Sequence, residues 1–406
     1  MATEGHGSVD DSGDWSVEFD GLTVDQLRTD DDFLEALAPR FRRSVEQLSL
    51  DGPINLTGSL SFSGTADAKL PTRSQWDMAV SMEDVSFSSG IPLEHVSGSL
   101  RAVGRLQGNR FATQGELDID SVTCHGIQFT RLKGPLWLDD QRLVLGQRAQ
   151  AVGQQPLTER IQGRAFGGSV SSFGEVSLLD KGSFDLQIEL SDGQFPHVLQ
   201  EFNSGINMAE GTNEVGGLLS GQLRLQGVQQ RQHLLSGSGS MQLRDADLYE
   251  LPPVLALLNT IRSASSDRTA FNSADVAFTI RANQVYLDLI SLQGDTLALK
   301  GKGEMNFDRE INLNLYTVLG REDSSFPMMR TLLGMASQRF LLINAKGPLE
   351  DPKLTREVLP GLNETLQTLF PELSSAEPTS EEVEPLSPAK IPSTADAPPQ
   401  RLGPFR

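Results

Sequence analysis

Residues 275–320 read DVAFTIRANQVYLDLISLQGDTLALKGKGEMNFDREINLNLYTVLG. Apolar residues alternate with others through three runs. The first sets Val276, Phe278 and Ile280 two apart, the second Leu287 and Leu289, the third Ile311, Leu313 and Leu315. A period of two brings such side chains to one face of a pleated strand. The breaks between runs carry Gly, Asn and Asp, the residues of turns. The stretch therefore predicts consecutive antiparallel strands with one dry face and one wet face.

The same texture begins near residue 50 and continues through most of the chain. It includes INLTGSLSFSG (54–64), WDMAVSMEDVSF (76–87), HVSGSLRAVG (95–104), GELDIDSVTC (115–124), GPLWLDD (134–140), SFDLQIELSDG (183–193), LSGQLRLQG (219–227) and FLLINAKGPL (340–349). A loose repeat, apolar-x-Gly-x-apolar, recurs around Gly58, Gly98, Gly134 and Gly221. Glycine weakens a strand interior, so its regular use points to bends, bulges or close backbone approach. The expected fold is mostly β: a long curled antiparallel sheet, groove-like, with a few short covering helices and disordered termini.

The covering helices are expected at FPHVLQEF (195–202), Pro252–Ala264 and Pro327–Ser337. Residues 24–48 are expected to form a helical lead-in. Thr29 is placed to cap it, Asp30, Asp31 and Asp32 complement its dipole, and Pro39 opens a second helix. Arg356–Phe370 gathers Val358, Leu359, Leu362 and Leu366 on roughly one helical face. Residues 1–23 and the Pro/Ser/Glu-rich 371–406 are expected to be disordered. Between them the chain divides into β segments at 49–160, 161–230 and 231–370.

Composition narrows the function classes. The 406 residues carry a net charge of −20 and only 6% aromatics. A nucleic-acid grip needs a basic face, and base stacking needs aromatics, so no nucleic-acid partner is expected. The single cysteine, Cys124, excludes an intrachain disulfide. No apolar run approaches the roughly 20 residues of a membrane-spanning helix. The first residues lack the basic and apolar regions of a signal peptide. The expectation is either a cytoplasmic chain or the C-terminal part of a longer anchored protein.

No catalytic constellation emerges. GSGSMQLRDADLYELPPVLALLNTI (237–261) starts like a phosphate cradle, but position 242 is Gln242 where a dinucleotide fingerprint needs a third glycine. Gly301 and Gly303 likewise enter a strand, and Phe166-Gly167-Gly168-Ser169 lacks the Lys-Ser/Thr of a P-loop. His6, His95, His125, His197 and His233 show no ligand spacing. Cys124-His125 reads as a strand end. Asp118 and Asp120, Glu83 and Asp84, and Asp245 and Asp247 read as a solvated face. The chain is expected not to be an enzyme, with no cofactor, no metal and no catalytic residues.

Residues 237–261, then FNSADVAFTI through YTVLG, then INAKGPLEDPKLT with Gly347, Pro348, Leu349, Asp351, Pro352 and Lys353, resemble the AsmA-like superfamily of envelope proteins. GRAFGGSVSSFGEVSL (163–178) resembles another segment of that family, and the likeness covers roughly residues 40–370. The resemblance implies a periplasmic or envelope protein, associated with the inner or outer membrane. Its apolar β-groove would carry phospholipid or other acyl chains between membranes, in outer-membrane biogenesis or lipid homeostasis. The lining candidates are Val276, Phe278, Ile280, Leu287, Leu289, Ile311, Leu313 and Leu315. The alternative is a non-enzymatic assembly scaffold whose groove is packed by its own helices and whose acidic face meets envelope proteins.

Overall fold

The computed structural model describes residues 2–360 other than 37–41, 43–48, 68–71, 89–91, 109, 149–156, 179–181, 203–215, 229–230, 249–253, 255–270, 295–296, 320–338 and 350. The first strands are β1 (Ala2–Val9), β2 (Trp15–Leu27), β3 (Ile54–Gly64), β4 (Arg73–Ser88), β5 (Pro92–Gln107), β6 (Arg110–Cys124) and β7 (Ile127–Asp139). There follow β8 (Arg142–Leu145), β9 (Gln147–Arg148), β10 (Leu157–Thr158), β11 (Ile161–Ala165), β12 (Gly168–Ser177), β13 (Ser183–Gln194) and β14 (Leu218–Val228). The last are β15 (Ser236–Arg244), β16 (Ser273–Arg281), β17 (Gln284–Gln293), β18 (Leu297–Asn306), β19 (Glu310–Leu319), β20 (Arg339–Pro348) and β21 (Lys353–Pro360). Two helices interrupt them, α1 (Asp31–Ala36) and α2 (Phe195–Phe202).

Nineteen strands form one antiparallel sheet, and β9 with β10 forms a separate small ladder. Strands pair in chain order, with one exception. β7 pairs with β8 through Leu136–Leu138 and with β11 through Phe129–Lys133, and β12 spans the same two partners. β8 and β11 are thus two halves of one lane, interrupted by an excursion at 146–160. Within the nineteen-stranded sheet, among the described residues, only β1 and β21 have a single neighbour, so this sheet is open at both ends.

The two rims differ. Long excursions at 28–53, 195–217, 245–272 and 320–338 all leave from one rim. The turns at 10–14, 65–72, 108–109, 140–141, 178–182, 229–235, 282–283, 307–309 and 349–352 all lie on the other, here the hairpin rim. Near the excursion rim, β-bulges recur. Gln26, Asp84, His95, Arg131 and Asp192 adopt φ of 53–55° where the ladders slip register. Three of the amides at these bulges are satisfied by the next strand: Gln26 N–H donates to Asn55 Oδ1, Asp84 N–H to Ser97 Oγ and Asp192 N–H to Ser220 Oγ. Each bulge bends its strand and adds twist, so a line of them coils the sheet along that rim.

Several sequence expectations are corrected. Residues 1–23, expected to be disordered, contain β1 and most of β2. The alternation Trp15, Val17, Phe19 pairs into β3, and Asp10 ties the turn by accepting hydrogen bonds from the Ser12 and Asp14 amides. Of the helical lead-in expected over 24–48, residues 24–27 belong to β2 and α1 is helical, while 37–41 and 43–48 lie outside the described residues. The cap of α1 is Asp30, whose Oδ1 accepts from the Phe33 amide, while the Thr29 hydroxyl donates to Leu50 O instead. Of the helix expected over Arg356–Phe370, residues 356–360 instead belong to a strand, Lys353–Pro360, paired in register with β20, and 361–370 lie outside the described residues. The three β segments are stretches of one continuous sheet. The predicted helix at 195–202 is present. Those at Pro39, Pro252–Ala264 and Pro327–Ser337, and the 371–406 tail, lie largely or wholly outside the described residues.

Glycine gives this sheet a sharp test. Gly98 adopts φ +140°, and a Cβ there would meet Asp118 O at 2.5 Å and Ile119 Cα at 2.6 Å. Both atoms are backbone and cannot rotate away. Gly98→Val should therefore lower the unfolding free energy by about 3 kcal/mol in a denaturant titration. Val103→Thr, at an exposed polar-face position on the same strand, should change it by less than about 0.5 kcal/mol.

Candidate functional site

Paired residues in an antiparallel ladder point to the same side, so the register defines two faces. One row runs Leu219, Leu243, Ala274, Leu292, Leu299, Thr317. The next runs Met241, Val276, Ile290, Gly301, Leu315, Ile343. A third runs Leu223, Gly239, Phe278, Leu287, Gly303, Leu313, Ala345, and a fourth Ile280, Val285, Met305, Ile311. The same face continues toward the N-terminus through Leu186 and Ile188, Leu136, Leu100, Val80, Leu56 and Val24. From β2 to β20 no Asp, Glu, Lys, Arg or His is paired into these rows. Their polar members are hydroxyls, such as Ser74, Thr113, Ser172 and Thr317.

Glycines concentrate on this face. Trp15 lies over Gly64, Trp76 over Gly104, Phe184 over Gly227 and Phe278 over Gly239, each pair directly cross-strand. A bulky ring fills the space its glycine leaves, which lets the sheet curl without a void.

Of the eight predicted lining residues, seven share this face. Leu289 does not. β17 has one residue more than both neighbours between Leu287 and Ile290, so Leu289 pairs with Ala277 and stands 44% exposed on the polar face. Ile290 takes the place the alternation assigned to Leu289. Met241, Leu186, Ile188 and Leu223 also line the face. The alternation in SFDLQIELSDG and LSGQLRLQG carried that signal.

Cover over the face is uneven. Ala246, Leu248, Val254 and Phe271, from the excursion after β15, pack with Leu243, Ile290, Leu299, Leu315 and Ile343, joined by Phe195 of α2. A second cluster of Val96, Ile119 and Val122 with Met82, Phe87 and Phe129 sits at the same rim. Between them, across β13–β16, Leu186, Ile188, Leu223, Val276 and Phe278 are only half-buried and Met241 is 43% exposed.

The opposite face holds the charges, largely as cross-strand pairs. Arg101 binds Asp77 through two hydrogen bonds of 3.0 and 2.8 Å, and Lys133 meets Asp118 at 2.9 Å. Burial works against the charged form of Asp185, but hydrogen bonds from Arg224 and Gln226 outweigh it and hold the carboxyl below its usual range. Small apolar patches, Pro135 with Val144 and Tyr316 with Leu342, interrupt this face. His6 lies 3.3 Å from Glu18 and 3.6 Å from Asp20, and one ligand atom from each of these exposed residues lies within 4.8 Å of the others; exposed acidic groups commonly gather so without an ion. Cys124 ends β6 on the apolar face; burial, then the charge of Glu94, raises its thiol pKa. His125 is in the exposed turn beyond it. Comparison with protein-family models, curated proteins and solved structures returned no match.

At the excursion rim two bulges are linked. His95 Nδ1 lies 2.7 Å from Asp84 Oδ1, and that hydrogen bond, with the Asp84 charge, raises the His95 pKa. An NMR titration should place His95 above the ordinary value of about 6.5, with Asp84→Asn returning it toward that value. A raised folded-state pKa stabilises below the unfolded-state value, and this contribution is lost as pH rises through the folded-state pKa.

Proposed function

We propose that the uncharged face is a lipid-carrying surface, and that the protein holds acyl chains along it as a non-enzymatic component of the cell envelope. The observation that carries this reading is the unbroken run of apolar rows, without a paired charge from β2 to β20, whose centre at β13–β16 is only half-covered. Sixteen lanes, β2 to β20 with β8 and β11 sharing one, at about 4.8 Å give this face a contour of roughly 70 Å across the strands. Burying a methylene contributes about 0.8 kcal/mol, so ten of them contribute about 8 kcal/mol without a single polar contact. Hydrocarbon can slide along such a surface because no hydrogen bond fixes its register. The AsmA-like resemblance of the C-terminal sequence points the same way, to phospholipid as cargo and to an inner or outer membrane as its source.

A second reading draws on Val254, Phe271 and Phe195. These side chains cover the excursion rim as core residues would, which favours a self-packed assembly scaffold there. The two readings separate at β13–β16.

The test is lipid analysis of the purified chain with native mass spectrometry, before and after incubation with phosphatidylethanolamine and phosphatidylglycerol. The wild type is expected to carry phospholipid. Leu223→Glu with Phe278→Glu, placing two charges on the half-covered face, should reduce bound lipid about tenfold or more. Leu289→Glu, on the polar face, should leave it unchanged. A wild type that neither carries nor takes up lipid overturns the proposal in favour of the scaffold.

A further inference from the structure

The hairpin rim has a property that the apolar face does not explain. Three large apolar side chains are exposed in its turns: Leu178 after β12 at 50%, Leu234 between β14 and β15 at 44%, and Phe307 between β18 and β19 at 47%. Leu178 and Leu234 stand about two lanes apart, or about 10 Å, and Phe307 about four lanes further along. A single exposed leucine is ordinary on a protein surface; a series in the turns of one rim is not.

Their neighbours have interfacial character. Arg281, at the end of β16, lies 5.7 Å from the ring centre of Tyr286. Tyr286 is itself 38% exposed, its apolar ring close to the rim and its hydroxyl able to remain wet. Arg231, in the turn that carries Leu234, is exposed and has no side-chain partner among the described residues. Apolar tips that enter hydrocarbon, a tyrosine at headgroup level and arginines beside phosphates are the components of a peripheral bilayer contact. Asp308 and Glu310 flank Phe307 and oppose purely electrostatic attraction, as does the net charge of −20. Apolar insertion must supply most of the affinity, with the arginines adding attraction to lipid phosphate.

We infer that the hairpin rim from β12 to β19 docks on a phospholipid bilayer, with Leu178, Leu234 and Phe307 inserted and Arg231 and Arg281 at phosphate level. The chain then lies with its strands pointing at the membrane, and the half-covered part of the apolar face, β13–β16, opens beside the bilayer surface. The inference deepens the lipid-carrying reading and rests on it for its purpose, but the two fail in different experiments.

The test is co-sedimentation of the full chain with vesicles of phosphatidylcholine and phosphatidylglycerol. Measured beside it are the triple variant Leu178→Ser, Leu234→Ser, Phe307→Ser and the double variant Arg231→Gln, Arg281→Gln. The wild type should sediment with vesicles. The triple variant should lose about tenfold or more in partitioning while keeping the circular-dichroism spectrum and the bound-lipid content of the wild type. The arginine variant should lose less, and only on vesicles containing phosphatidylglycerol. Vesicle binding that persists undiminished in the triple variant overturns the inference and assigns the contact to another surface; absence of wild-type binding overturns it outright. Loss of bound lipid with vesicle binding intact would instead strike the carrier reading alone.

Discussion

The structure depends on the need to keep one face of a single-layer sheet out of water. A sheet with a dry face ordinarily buries it against a second layer, and helices or another sheet supply that layer. Here the helices given a range among the described residues are α1, α2 and a 3-10 turn at Gln232–Leu234, too little by themselves to cover nineteen strands. Curling is the remaining route. A curled sheet crowds side chains on its inner surface, and the glycines of that face, with rings laid across them from the adjacent strand, relieve that crowding. Gly58, Gly98 and Gly134 go further, with positive φ on successive pairs of lanes that only glycine accommodates without strain. The bulges at Gln26, Asp84, His95, Arg131 and Asp192 supply the matching coil at one rim.

Alternation made much of this legible in the sequence. INLTGSLSFSG (54–64) is β3 residue for residue, and SFDLQIELSDG falls one residue short of β13. The apolar-x-Gly-x-apolar repeat was sound because its glycines all face inward. What alternation cannot show is an added residue. Leu289 follows Leu287 at the spacing of a strand, yet the extra residue in β17 turns it to the polar side. Bulge positions follow from how neighbouring strands fit, which a single run does not contain. β1 was missed for a different reason. ATEGHGSV has almost no apolar content, and its pairing with β2, not its own pattern, makes it a strand. At 353–360 the spacing of Val358, Leu359 and Leu362 fits a helix locally, but β20 offers an unpaired edge whose amides and carbonyls need partners. Tertiary context settled that segment.

The asymmetry between rims follows from the same constraint. Short turns keep the hairpin rim thin. The excursions at 28–53, 195–217, 245–272 and 320–338 leave from the other rim, and the described parts of two of them send Phe195, Val254 and Phe271 back over the sheet. The cover is therefore hinged on one side, and the face between the two buried clusters is approached from the hairpin rim. A helix from the excursion rim can close that approach only by reaching across the rows.

A face without charges also limits what it can discriminate. Acyl chains of different lipids present the same methylenes, and Leu, Ile and Met side chains give them no donor or acceptor to read. Ser74, Thr113 and Thr317 are buried, which keeps their hydroxyls away from solvent. On the lipid-carrying proposal, any preference among lipids would arise where polar groups stand beside the apolar rows, at the rims. On the hairpin rim Arg73, Arg105 and Arg110 cluster at the ends of β4, β5 and β6, and Arg231 and Arg281 lie near the half-covered face. Arginine forks match phosphate oxygens in geometry as well as charge. On the lipid-carrying proposal, the hydrocarbon would be held by an indifferent surface, and the headgroup would be read, and kept hydrated, along one edge of it.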